Sequence, residues 1–204
     1  MRSQSLKIVT QNAIINSEYT LFLKHSKYFA PENLINEYPR EDVIKITYRR
    51  LIRLKPFVSQ RKMVQDTYVE YLRYKYKSED YKLKSSLCNI RTEHTEASDL
   101  EQATQSLQFI LKAVSRIESG SCPSAVDNTL CRKILKNLLT MEYYKQTLIR
   151  QSPTSNYQLL RKSFGYLAPS KDGKSDTHIN SRYNSMGEYD RALVCLNEML
   201  GTRL

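Results

Sequence analysis

The sequence contains no tryptophan and is poor in turn-forming residues, with five glycines and six prolines among 204 residues. So few turn-formers argue against a sandwich or barrel of many short strands, because each strand end there needs a turn. No apolar run approaches the roughly 20 residues that a membrane-spanning helix requires. The hydrophobic content of 40% is ordinary for a globular protein, so we expect a soluble chain that buries a core.

Residues that usually carry catalysis or bind metals are also scarce. The three histidines are isolated, and the four cysteines form no pair at CxxC spacing. The segment 173–175 reads Gly-Lys-Ser, but Ala168 stands where a phosphate-binding loop needs its first glycine. We therefore expect no enzyme, no metal site and no cofactor. The cysteines are expected to be buried free thiols in a reducing compartment.

Charge is the strongest compositional signal, with a formal net charge of +11. Such a surface attracts polyanions, namely nucleic acid, anionic lipid or an acidic protein. The alternative is a mitochondrial or ribosome-associated protein that is basic without a polyanion site. Residues 1–17 carry Arg2 and Lys7 but no acidic residue, which suits a mitochondrial presequence. A cytoplasmic or nuclear location is the alternative.

The basic stretch Tyr48–Phe57 lies at the centre of this pattern. A helix is predicted from about Arg40 to Lys55, because apolar residues recur at helical spacing. Arginines lie opposite that apolar face, and Pro56 ends the helix. The apolar positions are Ile44, Tyr48, Leu51 and Ile52, with Tyr48 expected to pin the helix to the core.

A second helix is predicted from about Ser59 to Lys77, with a wide tyrosine-rich face that we expect to pack in the core. The short link between the two helices predicts an antiparallel pair. The arginines are expected to face outward, toward an acidic partner or another polyanion. The predicted binding residues are Tyr48, Arg49, Arg50, Arg53, Lys55, Arg61, Lys62 and Arg73.

The predicted fold is all-α, a small bundle of three to four main helices with an extended N-terminal arm and a docked C-terminal helix. The arm covers residues 1–40, within which 6–10 is either a short strand or extended chain. The bundle core covers 41–150. A flexible linker, 151–186, is expected from its polar composition, and the C-terminal helix covers 187–204.

Helix boundaries in the second half follow from capping patterns. Ser98 with Glu101, and Ser185 with Glu188, predict capping boxes that start two helices. Apolar residues after the first box alternate at spacings of three and four, which predicts the seam of a bundle helix: Leu100, Ala103, Leu107, Ile110, Val114 and Ile117. Residues 78–95 are expected to be a polar connection. A further helix is predicted over 127–150, with its lysines, including Lys145, on a solvated face. Gly201 is expected to end the last helix.

Several blocks along the whole chain resemble the yeast family called increased recombination centers protein 19. The blocks are His25–Tyr28, Tyr48–Arg50, Arg53–Phe57, Lys62–Val64, Cys131–Met141 and Leu200–Leu204. The resemblance implies a role in mitochondrial genome maintenance, respiratory growth and sporulation. It implies no molecular mechanism, and it does not extend to residues 151–187.

A second, local resemblance covers about residues 43–118. Ile46–Arg49 and Tyr71–Tyr76 resemble the Leu-Tyr-Arg motif family of small mitochondrial three-helix proteins, with Thr47 at the leucine position and Tyr74 or Tyr76 at a downstream phenylalanine. This resemblance implies an adaptor or assembly factor that binds mitochondrial acyl carrier protein. Arginines can hold the carboxylates and phosphate of such a partner with paired hydrogen bonds.

Direct nucleic-acid binding is the alternative function. The same arginines, together with Lys55, Arg61 and Lys62, would then neutralise phosphates, and binding would weaken steeply with salt. No base-reading motif accompanies them.

Overall fold

A computed structural model describes residues 7–15, 20–88, 96–115, 124–151, 161, 164, 166–167 and 177–204. The described chain is mostly helical, as predicted, with one small sheet that the all-α expectation did not include. None of the described helices is both long and apolar enough to cross a bilayer.

The sheet forms the N-terminal arm. Strands β1 (Ile8–Val9), β2 (Ala13–Ile15) and β3 (Thr20–Phe22) pair antiparallel in sequence order. Thr10 makes the first turn, because its hydroxyl donates to the Ala13 carbonyl at 2.8 Å and accepts from the Ala13 amide at 3.0 Å. Of the two expectations for residues 6–10, the short strand is confirmed over Ile8–Val9.

An aromatic group holds the arm on the helices. The Phe22 ring lies 4.7 Å from that of Tyr28 and 5.0 Å from that of Phe57. Helices α1 (His25–Tyr28) and α2 (Leu34–Glu37) are single turns that lead to α3 (Arg40–Arg53). The arm therefore packs against the helices through these aromatic side chains.

Helix α3 begins after Pro39 and ends close to the predicted position. Pro56 does not itself end α3, contrary to the prediction. It lies in the first turn of a separate short helix, α4 (Lys55–Val58), where its missing N–H costs nothing. Helix α5 (Lys62–Lys77) returns along α3. The Tyr68 hydroxyl, fully buried, donates to the Leu51 carbonyl at 2.9 Å and joins the two helices.

The predicted polar connection 78–95 contains a helix that sequence reasoning missed. Helix α6 (Tyr81–Leu87) is capped by Asp80, whose carboxylate accepts from the Leu83 amide at 3.0 Å. At under two turns, α6 is too short to show a helical period. It depends on burial of its inward side chains, above all Tyr81.

Three longer helices complete the described fold: α7 (Glu96–Val114), α8 (Ser124–Gln151) and α9 (Thr177–Leu200). Both predicted capping boxes are wrong, since Ser98 lies inside α7 and Ser185 inside α9. Gly201 does end α9, with a φ of 60° that favours glycine. Because α9 begins at Thr177, it takes up the end of the segment predicted as linker.

The main core lies where α7 packs along α8 and where α3 and α5 cover them. Its seam residues on α7 include Leu107 and Ile110, fully buried at the predicted spacing. A second buried cluster contains Phe164, Tyr166 and Leu167, from within the predicted linker, against residues of α8 and α9. The remaining residues of 152–176, including the Gly-Lys-Ser segment, lie outside the described residues.

Candidate functional site

The predicted arginine face of α3 has two parts with different surroundings. Arg49 is exposed. Arg50 donates from Nε to the Phe29 carbonyl at 2.7 Å, and Arg53 donates from Nη1 to the Lys27 carbonyl at 3.1 Å. These carbonyls lie at the end of α1, where a helix lacks partners of its own. Two of the three arginines therefore also hold the arm in place.

The apolar side of the same helix is anchored as its spacing predicts. Tyr48 is half-buried, packs against the main core, and lies with its ring centroid 5.1 Å from that of Tyr76. Thr47, at the leucine position of the Leu-Tyr-Arg pattern, is fully buried and donates to the Val43 carbonyl at 2.6 Å.

The remaining predicted cations are split between the two ends of α5. Lys55 forms an ion pair with Asp66 at 3.0 Å, and Arg61 and Lys62 are exposed at the start of the helix. Arg73 is exposed about 18 Å farther along the helix, at 1.5 Å per residue. The short connection through α4 therefore places Arg53, Arg61 and Lys62 near the turn between α3 and α5, and Arg73 lies farther along α5. We call the exposed cations Arg49, Arg53, Arg61 and Lys62 the basic face.

Beside the basic face lies a groove of about 990 Å³, bounded by the sheet, α4, the start of α5, the end of α7 and the middle of α8. Its apolar lining includes Ile8, Ile15, Pro56, Phe57, Val58, Met63, Val64, Val114, Leu135 and Leu139, with Tyr143 and Tyr144. The groove was not predicted, because its walls come from five elements spread between Ile8 and Tyr144.

The charged residues that line the groove are Arg61, Arg132 and Lys136, and no acidic side chain is among the described lining residues. Arg132 donates from Nε to the Ala113 carbonyl at 3.2 Å, near the end of α7. Lys136 lies one helical turn farther along α8 and is exposed. The groove is thus apolar in its lining and positively charged.

A buried cluster of ion pairs lies elsewhere in the bundle. We call it the ion cluster, and its members are Lys75, Glu79, Lys84, Glu142, Lys145, Arg161 and Asp190. Lys145 lies 2.8 Å from both carboxylate oxygens of Asp190, and Lys84 lies 3.2 Å from one of them. The Tyr166 hydroxyl donates to the same carboxylate at 2.6 Å. The prediction that Lys145 lies on a solvated face is wrong.

Burial and ion pairing act in opposite directions on the pKa values in and beside the ion cluster. Burial opposes ionisation of Asp190, but Lys84 and Lys145 outweigh it and lower the pKa of the carboxyl. For Lys75, burial outweighs the attraction of Glu79 and lowers the pKa of the ammonium to about 8. Burial raises the pKa of Tyr74 to about 12, against the opposing effect of Arg161, which stacks 3.9 Å from its ring centroid.

The space within the ion cluster is too small for a substrate. Its cavity has a volume of about 20 Å³, which suits about one water molecule. The cluster also links segments that are far apart in sequence, since Glu142 of α8 pairs with Arg161 and Asp190 of α9 pairs with Lys145 of α8. These observations assign it a structural role.

One sequence signal could have revealed part of the ion cluster. Leu138, Glu142, Lys145 and Ile149 follow one another at spacings of four, three and four, so both charges occupy the apolar stripe of α8. A charge in such a stripe is buried and needs a partner. The sequence could not identify the partner of Lys145, because Asp190 lies in a different helix.

Comparison with known proteins gives a consistent result over the whole chain. The profile of a family described as "Increased recombination centres protein 19" matches residues 8–204. A protein named "Increased recombination centers protein 19" from Vanderwaltozyma polyspora is 41% identical over 205 residues, with 98% of each chain covered. Proteins of the same name are 39% identical in Zygosaccharomyces rouxii, covering 97% of this chain and 98% of the relative, and 37% identical in Saccharomyces cerevisiae strain AWRI1631, covering 100% of both. No solved structure matches the chain.

Proposed function

Because the chain belongs to the Increased recombination centres protein 19 family, we propose that it serves in genome maintenance as a non-enzymatic adaptor whose basic face binds an acidic partner protein. The name carried by its relatives refers to recombination centres, which supports the role in genome maintenance. The exposure of Arg49, Arg61 and Lys62 is the observation that carries the binding role.

The distribution of cations supports an adaptor over a chain that is merely basic. Buried lysines such as Lys84 and Lys145 are neutralised by carboxylates inside the fold. The cations of the basic face remain at the surface. Arginine suits such a surface, because its guanidinium can donate two parallel hydrogen bonds to one carboxylate.

The properties of the ion cluster favour a binding protein over an enzyme. Its buried carboxylates are paired with lysines and an arginine, and its cavity of about 20 Å³ admits no substrate. The described residues also contain no group of three or more His, Cys, Asp or Glu side chains placed to hold a metal ion.

We also propose a mitochondrial setting, with roles in mitochondrial DNA maintenance, respiratory growth and sporulation, as the resemblance to the yeast family implies. In a yeast strain that lacks the protein, we expect loss of mitochondrial DNA, poor growth on non-fermentable carbon and fewer spores. The wild-type chain should restore all three, and a tagged copy should co-fractionate with mitochondria. Normal mitochondrial DNA content in the deletion strain would contradict this setting.

Mitochondrial acyl carrier protein is the first partner to test, because the local Leu-Tyr-Arg resemblance names it and because it is acidic. Arg49→Glu combined with Lys62→Glu should abolish co-purification of the carrier with the tagged chain. These two residues are preferred to Arg53, since Arg53 also bonds the Lys27 carbonyl. As a matched control, Lys82→Glu with Lys133→Glu changes the net charge equally at exposed positions on α6 and α8, and should leave the carrier bound. Retention of the carrier by the α3–α5 double variant, with its helical content intact, would exclude this partner.

A salt-titrated assay on duplex and single-stranded DNA separates the adaptor from a nucleic-acid-binding protein. Binding to phosphates would fall by about 0.9 log units per contacted phosphate for each tenfold rise in salt. We expect no binding at low salt. Tight binding that follows this salt law, and that Arg49→Glu weakens, would favour the nucleic-acid function instead.

A further inference from the structure

We propose that the groove between the N-terminal sheet and α8 binds an acidic amphipathic helix of the partner. This inference rests on the proposed adaptor function, because it names the segment of the partner that is held. The apolar side of that helix would lie on the groove's lining, and its acidic residues would meet Arg61, Arg132 and Lys136.

The lining of the groove supplies the apolar contact. Val64 and Phe57 are half-buried side chains packed against the main core, and Leu135 and Leu139 belong to that core. Met63 and Tyr144 are 51% and 54% exposed at its border. Methionine and tyrosine are enriched in protein interfaces, where methionine adapts its shape and tyrosine combines a large apolar ring with a polar end.

The size and position of the groove favour a helix over a small enclosed ligand. Its volume of about 990 Å³ is at the upper limit of the ~300–1,000 Å³ usual for small-molecule sites. Residues with half of their surface exposed form its border, so it is open along one side. Helices that bind in such grooves use apolar anchors at positions i, i+3 or i+4, and i+7.

Charge selects the kind of helix. With three cations and no acidic side chain among the described lining residues, the groove repels a basic segment and attracts an acidic one. Arg61 also belongs to the basic face, so a partner bound there continues into the groove. This shared residue is the reason to assign both surfaces to one acidic protein.

A pair of synthetic peptides tests the inference on the full-length chain. Both have 15 residues with leucines at helical spacing, and the outer positions are glutamate in one and lysine in the other. Fluorescence anisotropy should give a micromolar Kd for the glutamate peptide. The lysine peptide, and a glutamate peptide with its residues permuted to destroy the apolar stripe, should bind at least tenfold more weakly.

Matched variants localise the binding. Met63→Glu, at the groove, should weaken the glutamate peptide at least tenfold, whereas Met199→Glu, 83% exposed on α9, should not. Likewise Lys136→Glu should weaken it, whereas Lys133→Glu, exposed on the same helix outside the groove, should not. All four changes are at the surface, so circular dichroism should report unchanged helical content.

The outcomes distinguish this inference from the proposed function. If the native acidic partner is lost with Arg49→Glu and Lys62→Glu but retained with Met63→Glu, the adaptor function stands and the groove inference fails. If both variants retain the native partner, the adaptor function and the groove inference are both refuted. No binding of the glutamate peptide, or equal binding of both peptides, overturns the groove inference. If the chain forms a dimer that Met63→Glu dissociates, the groove binds a second copy of the chain. If the chain binds vesicles of anionic lipid but not the glutamate peptide, the groove binds lipid.

Discussion

Substitution of Asp190 by asparagine should destabilise the protein more than neutralisation of any other single residue of the ion cluster. The carboxylate is 1% exposed and accepts from Lys145, Lys84 and the Tyr166 hydroxyl. Asparagine keeps the size but replaces one acceptor oxygen with an NH₂ group, which must face an ammonium or a hydroxyl donor. Lys84 retains Glu79 as a partner, whereas Lys145 would face an uncharged side chain in a buried site.

The expected cost follows from the loss of a buried pair. Removing one partner of such a pair costs about 3–5 kcal/mol, since the other charge is left without compensation. For a chain of this length, about 2–4 °C of melting temperature corresponds to each kcal/mol. We therefore expect Asp190→Asn to lower the melting temperature by roughly 6–20 °C, measured by circular dichroism at pH 7.

An exposed ion pair provides the control. Arg150 contacts both carboxylate oxygens of Glu70 at 2.8 and 2.9 Å, with both side chains largely exposed. Glu70→Gln removes a charge in similar geometry but in water, so it should cost less than about 1 kcal/mol. If Asp190→Asn costs no more than Glu70→Gln, the ion cluster does not stabilise the fold in the way that its geometry indicates.

Acid titration checks the same reasoning independently. The folded pKa of Asp190 lies below its ordinary value of 3.8, so the unfolded chain binds the proton first as the pH falls. Its contribution to stability is therefore complete well above pH 4 and is lost as the pH falls toward the folded pKa. Asp190→Asn should show a shallower loss of stability below pH 4 than the wild type. If the variant and the wild type lose stability equally below pH 4, other carboxyl groups control the acid unfolding.

Three further predictions concern the core. Tyr68→Phe should cost about 0.5–1.5 kcal/mol in urea unfolding, because the buried Leu51 carbonyl loses the hydrogen bond that joins α5 to α3 and keeps the one from the Leu54 amide; an unchanged midpoint would contradict it. Asn197→Ala should cost about 2–4 kcal/mol, because the buried amide makes three hydrogen bonds, to Thr202 and Leu204; a loss under 1 kcal/mol would refute this. Above pH 10 the chain should unfold with a cooperative rise in tyrosinate absorbance, since burial raises the pKa of Tyr68 and Tyr71 well above 10 and these two alone cost about 3 kcal/mol at pH 11; a gradual rise with helicity retained would contradict it.

The parts of the fold that the sequence predicted are those with long helical periods. Helix α3 and the seam of α7 lie where the spacing of apolar residues predicts, because burial of one face stabilises a helix of many turns. Strands β2 and β3 of the arm and helix α6 were missed because each strand has three residues and α6 has under two turns. At that length their stability depends on contacts with the rest of the fold and is not visible in the local sequence.

The sequence predicted which way the arginines of the candidate site face, but not which groups they contact. A helical projection of α3 shows that Arg50 and Arg53 lie opposite the core, but not that α1 ends beneath them with carbonyls to bind. The groove has the same limitation, because a surface made by five segments leaves no pattern in any one of them. Reading a charge as exposed from its sequence position therefore fails wherever a distant segment packs over it.

The buried cations of the ion cluster contribute to stability, whereas the exposed cations are proposed to bind the partner. Variants of the two groups should therefore be interpreted differently. A change at Lys145 removes a partner from a buried carboxylate, so loss of partner binding there follows from unfolding and says nothing about the interface. A change at Lys62 or Lys136 removes an exposed charge, so it should change the free energy of unfolding by no more than about 0.5 kcal/mol. A variant that loses the partner while keeping its melting temperature therefore identifies a contact residue. The net charge of +11 cannot make that distinction, because it counts the buried and the exposed cations alike.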